Sequence, residues 1–354
     1  MSPARANPIA GFTLTRDDFR FHGQGLQRPE CILAEPDGTL WSADARGGVV
    51  RLAPDGTQEL ITQSSGPAGR TDGDAASGLL VGNLPNGLAF DRNGDLLIAN
   101  YGTDRLERMT RHGHTTPMAD RLDDGTPIGK TNFVCRDGKG RIWVTVSSMI
   151  QELQDSLTPW LRDGRVVLCT PDGRARLVAD DVHFANECRL NAAETHLYVA
   201  QTGGRNIVRF PIEHDGSLGE REIVGPADHG RIIDGITFDA YGNLWGTYIF
   251  ADGIFVVTPE GERHIVFDDS TPEEVDRLDD AFRAGELDLD FLLTTGGPIA
   301  TWCASLTFGG PDLRTVYVGS LRQDRIASFR SPVAGLPLIH WAEHDRAEHR
   351  EDGM

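Results

Sequence analysis

RIIDGITFDAYGNLWGT, residues 231–247, places Asp234 between isoleucines at the head of an apolar alternation. Ile236 and Phe238, then Leu244 after a turn at Tyr241-Gly242-Asn243, read as two short strands joined tightly. A carboxylate at the start of such a strand needs solvent or partners, because burying it alone is costly. The second half of the stretch recurs along the chain. AEPDGTLWSA (34–43), FDRNGDLLIA (90–99), CRDGKGRIWVT (135–145), LNAAETHLYVA (190–200) and FGGPDLRTVYVG (308–319) share its plan of strand, polar Gly or Asn turn, and a second apolar strand. The hairpin thus appears six times, at a spacing of roughly 50 residues.

A third strand follows each hairpin, as in GVVRLAPDG (48–56), RVVLCTPDG (165–173) and GIFVVTPEG (253–261), and a weaker fourth usually comes next, as in ARLVAD and RHIVF. Six units of four short antiparallel strands predict an all-β fold, a six-bladed β-propeller with short helical insertions. The whole chain, 1–354, reads as one such domain, with an ordered core from about 20 to 343. Helical periodicity is confined to SSMIQELQDSLTPWL (147–161) and to an insertion at about 270–296 containing TPEEVDRLDDAFRAGELDLDFL. The acidic amphipathic pattern of the second suits a lid over the channel or a contact between copies in a homo-oligomer.

Composition narrows the partners. A net charge of −19 disfavours nucleic acid and anionic membranes, which need a basic face. No apolar run approaches a membrane span, and MSPARANPIAG lacks the apolar core of a secretory signal. The cysteines, Cys31, Cys135, Cys169, Cys188 and Cys303, are scattered without a CxxC and read as reduced core residues of a cytoplasmic protein. The terminal EHDRAEHREDGM reads as a solvated tail. No P-loop, dinucleotide fingerprint or GxSxG elbow is present.

The repeats can be set in register. Ten positions before the first apolar residue after the turn stand Asp234 (from Leu244), Glu30 (Leu40), Asn86 (Leu96) and Asn132 (Ile142). In the two units with a longer turn, eleven positions before Leu197 and Val316 stand Asn186 and Ser305. In a propeller the innermost strand of each blade lines the central channel, so these polar residues should form a ring at one mouth. Two carboxylates and several carboxamides, all offering oxygen, suit one hard divalent cation, with Ca²⁺ foremost and Mn²⁺, Mg²⁺ or Zn²⁺ as alternatives. The ring contains no histidine or cysteine, which argues against a site built for zinc or copper. The competing reading is that Asp and Asn merely cap strand starts through nearby amides. Asn86, in LPNGLAF, suits a substrate or water contact better than a ligand, and Ser305 suits a structural role.

The stretches RPECILAEPDGTLWSADARGGVVRLAPDG, FANECRLNAAETHLYVAQTGGRNIVRF, IIDGITFDAYGNLWGT and CASLTFGGPDLRTVYVGS resemble the SMP-30/gluconolactonase/luciferin-regenerating-enzyme family over nearly the whole chain. The resemblance implies metal ligation by Glu30, Asn132, Asn186 and Asp234, and hydrolysis of a small lactone, often a sugar lactone, with Asp234 as ligand and proton acceptor. It leaves open other reactions on the same site, such as organophosphate-type ester hydrolysis or lyase or hydratase chemistry on a sugar acid. A non-catalytic binding propeller is a further alternative, which the polar ring disfavours. Two departures stand out in GKTNFV, where members of the family often carry Arg and Asp. Lys130 takes the place of the Arg and is expected to contact substrate, and Phe133 predicts a less polar wall. His183, three residues before Asn186, is a further candidate for substrate contact, and Trp302, in the equivalent approach to Ser305, for an apolar wall.

Overall fold

The turn chemistry of the repeat explains its strands. In FDAYGNLW, Asp239 Oδ1 accepts the backbone N–H groups of Tyr241 (2.9 Å), Gly242 (3.0 Å) and Asn243 (2.9 Å), while Oδ2 accepts the Trp245 indole at 2.9 Å. One side chain closes the hairpin and orients the first large residue of the next strand. Asp137 with Trp143 (3.2 Å) and Glu35 with Trp41 (2.6 Å) repeat the indole contact in two other blades.

The computed structural model describes residues 6–65 and 82–343. Its sheets are six in number, each of four strands, forming a six-bladed β-propeller. The innermost strands are Ile32–Ala34, Pro85–Phe90, Thr131–Arg136, Ala185–Leu190, Ile233–Phe238 and Cys303–Gly309, here blades 1 to 6. They are almost wholly buried, whereas outer strands such as Gln58–Thr62 and Glu222–Val224 are exposed or half-buried. An outer edge strand packs on one side only, which is why its pattern is the weakest in the sequence. Blade 6 takes its fourth strand from the other end of the chain: Arg20–His22 pairs with Ile326–Arg330. This closure ties the first blade to the last.

The two helical expectations fared differently. Residues 147–161 yield only the short α1, Leu153–Ser156, because Thr158-Pro159 ends it. The insertion forms α2, Pro272–Ala284, and the short α3, Leu289–Leu292. Thr271 caps α2 in a box with Glu274, Pro272 opens it, and Gly285 closes it at φ 72°.

The far ends of the innermost strands are crossed by residues 335–343. Leu336 N–H donates to Phe238 O at 2.9 Å, His340 Nε2 and Trp341 Nε1 each lie 2.9 Å from Ala34 O, and Arg136 Nη1 donates to Glu343 Oε1 at 2.9 Å. Blades 5, 1 and 3 are thereby strapped together at the mouth opposite the polar ring. Glu343, expected in a solvated tail, is part of this strap; residues 344–354 lie outside the described residues. All five cysteines are free thiols, and only Cys135 is not fully buried. Among the described residues no helix is long and apolar enough to cross a membrane.

Candidate active site

A local slip in strand pairing builds the ring. The register of innermost strand against second strand shifts between Pro85 and Gly87, Thr131 and Phe133, Ala185 and Cys188, Ile233 and Ile236, and Cys303 and Leu306. Asn86, Asn132, Asn186, Asp234 and Ser305 each fall inside one of these bulges, which re-aim a side chain that strict alternation would point between blades. Hydroxyls on the second strands fill the gaps. Thr145 Oγ1 accepts Phe133 N–H at 3.1 Å and donates to Asn186 O, and Thr247 Oγ1 accepts Gly235 N–H at 2.8 Å and donates to Ala304 O. Each hydroxyl therefore ties its own bulge to the next blade. Glycine permits the approach: a Cβ on Gly235 would lie 2.4 Å from Ala304 O.

Five of the aligned residues, Glu30, Asn86, Asn132, Asn186 and Asp234, line one cavity, and all are buried. Ser305 is buried but does not line it. Water-sized molecules can centre themselves within ≈ 50 Å³ of the cavity, against ~10–15 Å³ needed by one water, so the space holds an ion and a few waters.

Two carboxamides are oriented by their N–H₂ groups. Asn132 Nδ2 donates to Ser147 Oγ and Asn186 Nδ2 to Thr202 Oγ1, both at 3.0 Å. Asn86 is spent within the ring. Its Oδ1 accepts Arg28 Nη2 at 2.6 Å, and its Nδ2 donates to Asn132 O at 2.9 Å and to Asn132 Oδ1 at 3.3 Å. Glu30 Oε2, Asn186 Oδ1 and Asp234 Oδ1 are buried without a hydrogen-bond partner. Buried oxygens of this kind are rare unless something outside the chain satisfies them.

The electrostatics point the same way. Burial raises the Glu30 carboxyl to about 7, against the lowering effect of the adjacent Arg28 guanidinium. Burial, then the charges of Glu30 and Glu187, push Asp234 well above the usual carboxylate range. A cation between these acids would relieve both penalties. Among the described residues no group of three or more His, Cys, Asp or Glu could hold a metal ion. A cation here must therefore draw on carboxamide oxygens beside two carboxylates, a donor set of calcium type. The orphaned oxygens fit that group.

Two charged neighbours of the ring stand outside the aligned positions. Arg28, two residues before Glu30, reaches Glu30 Oε2 at 2.7 Å, out of line for a hydrogen bond. Glu187 shares the bulge of Asn186 and crosses to blade 5, where its Oε2 accepts Ile236 N–H at 3.0 Å beside Arg189 Nη2 at 3.3 Å. Both sit next to ring residues in the sequence, so proximity was the available signal.

Other expected contacts lie elsewhere. Lys130 is buried away from the cavity, its Nζ 3.3 Å from both Tyr101 O and Asp104 Oδ1 and 5.0 Å from the Tyr101 ring centre. It braces Tyr101, which does line the cavity. His183 borders a separate groove beside Arg162, Arg205 and Arg221. Phe133 is not a cavity wall, because alternation from Asn132 turns it away, to stack under the Arg189 guanidinium at 4.3 Å.

An apolar wall exists all the same, made by loops. Leu153 and Leu157 come from α1 and its end, Phe184 and Trp302 from the approaches to blades 4 and 6, and Ile249, Phe250 and Leu321 from loops after second strands. Behind this layer pack Leu278 and Phe282 of α2 and Leu292 of α3, so the insertion spends its apolar face inside the molecule, over the channel mouth. Arg28, Phe184, Phe250 and Trp302 all hold positive φ, at 56°, 51°, 73° and 58°. Such conformations are costly for bulky residues, and their gathering at one cavity is typical of a functional site.

A family model described as SMP-30/Gluconolactonase/LRE-like region matches residues 29–269. The chain is 25% identical over 225 residues to 6-deoxy-6-sulfogluconolactonase of Pseudomonas putida, an alignment covering 62% of this chain. It spans 63% of the length of that relative. Among solved structures, a gluconolactonase from Xanthomonas campestris superposes with TM-score 0.60 at 19% identity, covering 87% of this chain and 88% of that one. The calcium-binding protein regucalcin from Agrobacterium tumefaciens does so with TM-score 0.62 at 16% identity, covering 89% and 95%. At these identities the structural likeness shows the fold.

Proposed function

The chain belongs to the SMP-30/gluconolactonase/LRE-like family, and from that premise we propose that it hydrolyses a small lactone with one divalent cation held by Glu30, Asn132, Asn186 and Asp234. The observation that carries the reading is the convergence of these residues on one cavity, with Asn186 Oδ1 and Asp234 Oδ1 buried without a hydrogen-bond partner and Glu30 Oε2 met by the Arg28 ion pair alone. The lactonase names of relatives and the calcium-binding name of one structural neighbour support it.

When bound, such a cation supplies Lewis-acid polarisation of the lactone carbonyl. The chain's own residues do the rest. Glu30 and Asp234 balance the cation's charge, while the carboxamide oxygens of Asn132 and Asn186 add coordination without repulsion. Arg28 and Asn86 hold Glu30 and Asn132 in place through the 2.7 Å and 2.9 Å contacts. Asp234 Oδ1 accepts the proton of the attacking water. As an ion ligand Asp234 would be a weak base, so it would rely on the cation to acidify that water. The apolar wall keeps bulk solvent from this exchange. Ring opening leaves the leaving oxygen tethered, so no covalent intermediate is required.

The test is a calorimetric titration of chelator-treated protein with Ca²⁺, Mn²⁺, Mg²⁺ and Zn²⁺, run on the native chain and on Asp234→Ala. A panel of aldonolactones and alkyl lactones is assayed on the same samples. One bound ion in the native chain, loss of binding in the variant, and lactone opening only in the loaded native chain are expected. Absence of ion binding in both would reduce the ring to strand-start capping, and binding without lactone opening would leave the site with a different reaction.

A further inference from the structure

We propose that the substrate is an apolar lactone, carrying an alkyl or aryl substituent rather than hydroxyls, and that the Trp302 indole N–H donates to one of its oxygens. The inference rests on the lactonase reading of the same cavity and names the substrate class within it.

Every other buried tryptophan has its indole satisfied. Trp41, Trp143 and Trp245 donate to the turn carboxylates, and Trp341 donates to Ala34 O. Trp302 is 1% exposed, lines the cavity, and its Nε1 has no partner. The residue is held firmly enough to make this deliberate. Its backbone N–H donates to Asp252 Oδ2 at 2.9 Å, its ring meets Phe250 edge-on at 5.0 Å between centres, and Arg322 lies 5.1 Å from its ring centre. Its φ of 58° is strained for a tryptophan. A buried donor locked beside a cavity with nothing to donate to is a place where a ligand acceptor belongs.

The rest of the wall is mostly apolar and gives hydroxyls few partners. Leu153, Leu157, Phe184, Ile249, Phe250 and Leu321 carry no polar side-chain atom. Thr202 Oγ1 already accepts from Asn186. Apart from Trp302, the donors left beside the ring are the Tyr101 hydroxyl, the Thr202 O–H and the unpartnered Arg28 Nε. An aldonolactone would bury several hydroxyls here, and each one left unpaired weakens binding on the order of 10-fold or more. An alkyl or aryl substituent instead removes apolar surface from water on both sides.

The experiment uses the Ca²⁺-supplied, ¹⁵N-labelled full chain and two lactams, stable nitrogen analogues of lactones. One carries a pentyl chain and the other a hydroxyl on each free ring carbon. The pentyl lactam should bind at least about 10-fold more tightly and should shift one indole Nε1–H resonance, identified as Trp302 by its loss in Trp302→Phe. That variant, which keeps an aromatic wall, should weaken the pentyl lactam by about 10-fold. If it does not fold, the comparison of the two lactams and the shifted resonance on the native chain still decide the matter. Kinetics on the matching lactones should rank in the same order by kcat/KM. Tighter binding of the hydroxylated lactam, or an unmoved indole resonance, overturns the proposal. Preferred opening of a hydroxylated lactone would keep hydrolysis and overturn this substrate class. Binding of the pentyl lactam with no lactone opened would support the wall and its donor while the hydrolytic reading falls.

Discussion

Arg28 Nη1 lies 2.7 Å from Glu30 Oε2 across a single proline, with both side chains shut off from solvent. The first carboxylate of the ring thus has a cation from its own chain beside it. Removing the guanidinium leaves a buried carboxylate whose pKa burial has already raised to about 7. Arg28→Gln should therefore cost about 3 kcal/mol in chelator-treated protein, the scale for breaking a buried pair. Added Ca²⁺ should recover more stability in the variant than in the native chain. Thermal unfolding with and without chelator measures both effects.

Thr247 tests whether the bulge hydroxyls aim the ring. Its Oγ1 accepts Gly235 N–H and donates to Ala304 O, joining blade 5 to blade 6 next to Asp234. Thr247→Val keeps the shape and removes both bonds. It should cost about 2 kcal/mol through the buried groups it strands and weaken divalent-ion binding. Thr247→Ser should preserve both. Denaturant unfolding and calorimetry on the pair separate the hydroxyl from the methyl.

Gly319 marks a close approach of blade 6 to blade 1. A Cβ there would lie 1.7 Å from Glu30 O, a backbone atom that cannot rotate away. Gly319→Ala should displace the loop carrying Glu30, with a loss above about 4 kcal/mol, among the largest single-substitution effects. The corresponding measurement is yield of folded protein and its midpoint in urea.

The strap at the opposite mouth should make stability sensitive to acid. His340 is held down to about 4, first by burial and also by the Arg136 charge, against the raising effects of its bond to Ala34 O and of Glu35 and Glu343. His229 is held down to about 3 by burial, then by Arg263. Below the ordinary histidine value the unfolded chain takes up protons that the folded chain refuses. This contribution is full above about 6.5 and is lost as pH falls toward the folded pKa. At pH 5, His340 alone accounts for ~2 kcal/mol by this linkage. His340→Gln should flatten the fall in melting temperature between pH 7 and pH 5, and an unchanged slope would remove His340 as the cause.

How much of the site was legible follows from the range of each signal. Counting back from the turns located Glu30, Asn86, Asn132, Asn186 and Asp234, because the distance from ring position to hairpin turn lies within one repeat. The same count could not show that Arg28 would swing in beside Glu30, or that Glu187 would share the bulge of Asn186. Both depend on backbone departures from the regular strand, at Arg28 φ 56° and at the slip between Ala185 and Cys188. Lys130 and His183 stand close in sequence to ring residues, yet neither lines the ring cavity. Phe133 predicted an apolar wall that exists, but other residues supply it.

The sequence by itself determined the blades: short apolar strands, an Asp or Asn side chain that closes the tight turns, and a repeat whose register carries one polar position into each unit. These are short-range properties, settled by residues a few positions apart. Only the tertiary structure decided what the ring can do. Closure of Arg20–His22 onto the last blade and the strap through His340 and Trp341 bring distant units into one circle. The bulges then turn one side chain per inner strand into the channel, and the loops lay Phe184, Phe250 and Trp302 over them. Those contacts join residues that no local pattern relates, because their meeting depends on how six sheets pack around a common axis.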